Sequence, residues 1–132
     1  MASIFTKIIQ GTIPCYKIYE NTQVFAFLDI RPIHVGHALV VPKIEVDYFL
    51  DAEDSDYAAV FAATKVIGKA IHAATHCRRV GLMVQGFEVP HFHVHLVPMW
   101  KIGDLDLSHG RERPADELAD MQGKIVKALG TL

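Results

Sequence analysis

The chain has 132 residues, 13 Lys and Arg against 15 Asp and Glu, a formal charge of −2 and 51% hydrophobic residues. That length suits one domain of ordinary size, while the apolar content excludes disorder and the balanced charge excludes a general polyanion binder. Apolar stretches fall well short of the ~20 residues a spanning helix needs, and Met1-Ala2-Ser3-Ile4-Phe5 lacks the pattern of an export signal. Neither nucleic acid nor a membrane is an expected partner. Cys15 and Cys77 form no CxxC pair, so they are expected as reduced thiols in the cytoplasm.

No repeat, linker or low-complexity tract divides residues 1–132, and a single domain is expected, with a core over about residues 3–98 and a C-terminal extension. Ser3 can cap a short helix carrying Ile4, Phe5, Ile8 and Ile9, with Gly11 as its stop signal. Residues 17–20 and 24–28 read as two strands of a hairpin turning at Glu20-Asn21-Thr22. Pro32 and Gly36 punctuate a loop over residues 29–36, and His37–Pro42 is a β-branched run ended by proline. The longest helix is expected over about residues 55–75, where Tyr57, Val60, Phe61, Thr64, Ile67, Gly68 and Ile71 keep helical spacing. Acidic residues at 51, 53, 54 and 56 favour its start. Residues 79–84 and 92–97 read as further strands, and a last amphipathic helix begins near Pro114 and runs to about 129, with Leu118, Met121, Ile125 and Leu129 inward. The order predicts an α+β fold: a mainly antiparallel sheet with one long helix and one or two shorter ones.

Eight histidines are the unusual count, and three stand in Pro90-His91-Phe92-His93-Val94-His95-Leu96-Val97-Pro98. Successive strand side chains alternate between faces, so His91, His93 and His95 share one face, about 6.8 Å between neighbours, while Phe92, Val94 and Leu96 share the other. A helix would scatter the imidazoles round its circumference. The row fits a polar sheet face, a three-histidine zinc site, or a nucleophilic histidine supported by its neighbours.

His91-Phe92-His93-Val94-His95-Leu96-Val97 matches the pattern His-φ-His-φ-His-φ-φ, and on it the chain resembles the histidine triad (HIT) superfamily of nucleotide hydrolases and transferases. Phe27-Leu28-Asp29-Ile30 with Pro32, then Gly36-His37-Ala38-Leu39-Val40-Val41-Pro42-Lys43, resembles that family's nucleoside-binding and fourth-histidine segment. The opening Ser3–Ile9 with Gly11 and Pro14 is also similar, so the likeness spans residues 3 to about 98. It is closest to the Hint-like branch of homodimeric nucleoside phosphoramidases; His95 stands where the galactose-1-phosphate uridylyltransferase branch has Gln.

The resemblance implies a HIT-like fold, a homodimer and a hydrolase acting at the α-phosphate of a purine nucleotide, foremost a nucleoside 5'-phosphoramidate. A dinucleoside polyphosphate hydrolase, or a nucleotide-binding protein with little turnover, stays open beside it. His93 is the implied nucleophile, His95 and His37 contact phosphate oxygens, and His91 buttresses the row. Asp29 is the implied partner of the ribose hydroxyls, with Ile4, Phe5, Ile8, Phe27 and Ile30 as an apolar slot for the base; each also suits a turn or the core. Gly86 is expected to let backbone approach the phosphate. Glu88 stands where many relatives carry Ser or Thr, which puts the leaving-group preference in question. No cofactor is expected. No structural zinc is expected either, because Ser3, Thr6 and Glu45 occupy the places where some bacterial relatives carry its Cys and His ligands. His34, His72, His76 and His109 are read as structural or solvent-facing.

Overall fold

In the computed structural model, which describes residues 2–131, Ser3 opens helix α1 (Ile4–Ile9) by accepting the Thr6 N–H on its hydroxyl at 3.1 Å. The chain then forms β1 (Lys17–Glu20), β2 (Val24–Leu28), β3 (Ala38–Pro42), α2 (Asp54–Thr75), β4 (Arg79–Met83), β5 (Val94–Met99) and α3 (Ala115–Leu129). Single 3-10 turns at Phe49–Asp51, Ile102–Asp104 and Leu107–His109 complete the order. All strand pairings are antiparallel, in the spatial order β1-β2-β3-β5-β4. The expected α+β architecture is what forms.

Strand periodicity builds the two layers. Val24, Ala26 and Leu28 of β2, Ala38 and Val40 of β3, and Val94 and Leu96 of β5 pack with Val60, Ile67 and Ile71 of α2 and with Ile125 of α3. On the opposite face, Phe25, Phe27, Leu39 and Val41 meet Phe5 and Ile8 of α1. Residues of β2 and β3 are therefore buried on both faces, which is why these strands read as continuous apolar runs rather than alternating ones. The six-residue α1 covers part of this second face and leaves room for the site.

Two local features set the histidines. Gly36, at φ +111°, precedes His37, and a Cβ there would meet Thr75 Cγ2 at 2.9 Å, so both backbone conformation and close approach require glycine. The histidine strand joins the ladder at Val94, two residues later than its sequence suggests. Pro42 has no N–H to offer, its carbonyl accepts the His91 ring at 2.8 Å, and the Phe92 N–H turns to Val46 O at 2.6 Å. Extended chain still carries the alternation through residues 91–93: Phe92 lies in the α2-side core, and His91 and His93 face Phe5.

The helix ends follow ordinary rules. Asp54 and Asp56 sit in the first turn of α2, and His76 closes it in the left-handed conformation at φ 57°. His72 and His76 are thus helix-end residues, both exposed. Among the described residues, no helix is long and apolar enough to cross a membrane.

Candidate active site

His93 is the residue whose surroundings constrain it most. Its Nδ1 lies 2.7 Å from the backbone carbonyl of His91, which can only accept, so Nδ1 carries the proton and Nε2 keeps its lone pair. The Phe5 ring stands edge-on to it with centroids 5.0 Å apart, and the imidazole is almost wholly buried.

The protons on His37 and His95 are ordered by one backbone group. The Ile33 N–H donates to His37 Nδ1 at 3.1 Å, so neutral His37 holds its proton on Nε2. That N–H donates to His95 Nδ1 at 2.9 Å, so neutral His95 carries its own proton on Nε2 and offers it to Glu88 Oε1 at 3.2 Å. Burial holds both rings below the ordinary histidine pKa, with the neighbouring carboxylates only partly offsetting it. The result is a neutral relay ending in a donor that faces Glu88 across the cavity.

His91 is held differently. Its Nε2–H donates to Pro42 O at 2.8 Å, and Nδ1 accepts from the Ser3 hydroxyl at 2.8 Å. Glu45 Oε1 accepts the Ser3 N–H and the Thr6 hydroxyl, each at 2.6 Å. These two bonds hold the Glu45 carboxyl at about 2, below the usual carboxylate range. Ser3, Thr6 and Glu45 thus join α1, the chain after β3 and His91 by hydrogen bonds.

His93, His95 and Glu88 line a cavity of about 620 Å³ together with Ile4, Phe5, Asp29, Arg31 and Leu39. An apolar slot of about 170 Å³ adjoins it, sharing Ile4, Phe5, Asp29 and Leu39 and adding Ile8, Phe27 and Ile30. The structure therefore gathers His93, His95, Asp29, Glu88 and the five apolar residues on these two spaces, with His37 bonded to His95. His91 supports them from behind. Gly86 lines neither space; at φ +86° it turns the loop that carries Glu88 inward.

Asp29 is both a turn former and a cavity residue. Its Oδ1 accepts the Arg31 N–H at 2.9 Å, while Oδ2 faces the His37 ring, 3.7 Å from Nε2. His34 keeps part of its side chain in solvent but is also tied inward: its Nε2 lies 3.1 Å from Asp104 Oδ1, and its ring meets Trp100 edge-on. Asp104 Oδ2 accepts the N–H groups of Trp100 and Lys101, which with His34 holds the carboxyl at about 2.

The segment after Trp100 supplies residues that the sequence reading missed. Leu107, Ser108 and Gly110 form one wall of the cavity. A Cβ on Gly110 would meet Arg31 O at 2.6 Å, so the glycine lets this wall press against the loop after Asp29. The repeated small and acidic residues between 103 and 110 carried the only signal, and it has no fixed spacing.

Two His/carboxylate groups gather ligand atoms within 4.8 Å, Asp29-His37-His95 and Glu88-His93-His95. In the first, His37 Nε2 and His95 Nδ1 already bond to each other. In the second, a metal on His95 Nε2 would force a proton onto Nδ1 and reverse the relay against the Ile33 N–H. The proton order favours a substrate-facing donor over a metal ligand.

Comparison with known proteins bears on the family. A family model described as the HIT domain matches residues 10–101. The protein named hit of Bacillus subtilis is 32% identical over 139 aligned positions, covering 97% of this chain and 94% of its own length. An adenosine 5'-monophosphoramidase of Schizosaccharomyces pombe is 37% identical over 100, covering 74% of each. The solved structure of a Hit-like protein from Bartonella henselae superimposes with a TM-score of 0.84 at 31% identity, covering 96% of this chain and 95% of that one. Fold, histidine row and these relatives agree, and the chain belongs to the HIT domain family.

Proposed function

We propose that the chain is a nucleotide hydrolase that moves a nucleotidyl group from a purine nucleoside 5'-phosphoramidate to His93 and then to water. The observation that carries this reading is the His93 Nδ1 bond to the His91 carbonyl, which leaves Nε2 as a lone pair in the cavity. A neutral imidazole is nucleophilic near pH 7, and the covalent step divides one hard displacement into two. The name of the Schizosaccharomyces pombe relative supports a phosphoramidate as substrate.

Each residue has a role that follows from its place. The apolar slot receives the base, and the carboxylate of Asp29 accepts from the ribose hydroxyls. His95 Nε2–H donates to a phosphate oxygen once substrate displaces Glu88, and His37 keeps that proton in position. As phosphorus becomes five-coordinate, charge builds on these oxygens, and a preorganised donor stabilises it. His93 becomes an imidazolium when it forms the N–P bond, and its Nδ1–H bond to the His91 carbonyl then strengthens.

The test is a quenched reaction with adenosine 5'-phosphoramidate followed by mass analysis of the chain. A nucleotidyl adduct on the peptide containing His93 is expected, and none in His93→Ala. Turnover that survives His93→Ala unchanged overturns the reading.

A further inference from the structure

An amine cannot leave phosphorus as an anion, so cleavage of a phosphoramidate needs a proton on the departing nitrogen. The histidines cannot supply it. His93 has its one proton on Nδ1, bonded to the His91 carbonyl and turned away from the cavity. His95 can offer its Nε2 proton but not release it: His37 could refill His95 only by losing its own Nε2 proton, and its Nδ1 is already occupied by the Ile33 N–H. Releasing it would leave an imidazolide in a buried site, at high cost.

One other titratable side chain faces both reactive nitrogens. Glu88 Oε1 is 3.2 Å from His95 Nε2, and Oε2 is 3.7 Å from His93 Nε2. Its side chain is 38% exposed, so it exchanges protons with solvent. Asp29 and Arg31 line the same cavity, but Asp29 is on the side of the nucleoside slot. In-line displacement sends the leaving atom away from His93 into the rest of the cavity, where Glu88 is the carboxylate not committed to the slot.

We propose that Glu88 carries the leaving-group proton, donating it to the amine as the P–N bond breaks and taking one back from the water that follows. The proposal rests on the phosphoramidate reading. In the first step the His93 Nε2 lone pair forms the N–P bond, the P–N pair departs with the amine, and the amine takes the Glu88 proton. In the second step water oxygen bonds phosphorus, the N–P pair returns to His93, and a water proton restores Glu88. The products are the nucleoside monophosphate and the free amine.

In the unliganded protein Glu88 is held below the ordinary carboxyl value: burial raises it, but a bond within its own loop, the nearby His93 ring and the bond from His95 outweigh that. A bound phosphate takes over the His95 donor and sets a negative charge beside Glu88, and both changes favour its protonation.

The test compares two substrates of one nucleoside: a 5'-phosphoramidate of a basic amine, and a 5'-p-nitrophenyl phosphate, whose leaving group departs as an anion without help. In Glu88→Gln the ratio of kcat/KM, amine over nitrophenyl, is expected to fall about 10²- to 10⁴-fold, the range for loss of a general acid. The nitrophenyl substrate is expected to give a burst as nucleotidyl-His93 accumulates, because its hydrolysis has lost the base. Glu88→Asp is expected to restore part of the ratio. Equal losses on both substrates, or none, overturn the proposal. If the wild-type chain forms no adduct with either substrate, the phosphoramidate reading falls as well; adduct formation with an unmoved ratio removes only the role of Glu88.

Discussion

The backbone N–H of Ile33 decides which way the protons point in His37 and His95. Such a relay acts as one device, so its parts are not additive. His95→Ala removes the donor itself and is expected to lower kcat/KM by about 10²- to 10³-fold, the scale of a preorganised donor to a developing oxyanion. His37→Ala leaves His95 free to change tautomer and is expected to cost nearly as much. The double variant is expected to lose little beyond the larger single loss, and losses that multiply would show that the two rings act independently. His37 was legible only through the likeness of Gly36-His37 to a family segment. Its partner in the relay is a backbone amide, which leaves no mark on a sequence.

At the scale of elements, α1 holds six residues and is too short to persist alone. Its anchor is the set of bonds from Ser3 and Thr6 to Glu45 and His91. Ser3→Ala removes the helix cap and leaves His91 Nδ1 without its main donor. The cap alone is worth about 1 kcal/mol, and an unsatisfied buried nitrogen about 1–3 kcal/mol. Denaturant unfolding is expected to show a loss of about 1–3 kcal/mol, with KM raised because Phe5 packs on His93; a loss below 0.5 kcal/mol, within the ordinary effect of a surface change, would remove this anchor. The alternation that places three histidines opposite Phe92, Val94 and Leu96 was readable because side-chain direction in extended chain depends on position alone. The late start of β5 was not, since it depends on which carbonyl the His91 ring reaches. The wall at Leu107, Ser108 and Gly110 was equally hidden, because it exists through contact with Arg31, far away in the chain.

For the whole molecule, β4 is an edge strand bonded only to β5, and it exposes 45% of Leu82. Natural sheets seldom leave such an edge uncovered, so we infer that a second copy pairs there, as the resemblance implies, and light scattering is expected to give twice the chain mass. Burial also ties stability to pH. His37, His91 and His95 are all held below the ordinary histidine value, first by desolvation, and His37 is pushed down to about 4. An unfolded chain binds protons on these residues from about 6.5 downward, while the folded chain refuses them until lower pH. Stability is therefore full above about 6.5 and falls as pH drops toward the folded values, by up to about 1.4 kcal/mol per pH unit for each such histidine. The low carboxyls of Glu45 and Asp104 act in the same direction, but only once pH falls below the ordinary carboxyl range. Melting followed by circular dichroism is expected to give a constant Tm from pH 8 to 7 and a clear drop by pH 5. A Tm that holds or rises from pH 7 to 5 would mean that the histidine set is not kept neutral by the fold, and the ordered relay would fall with it.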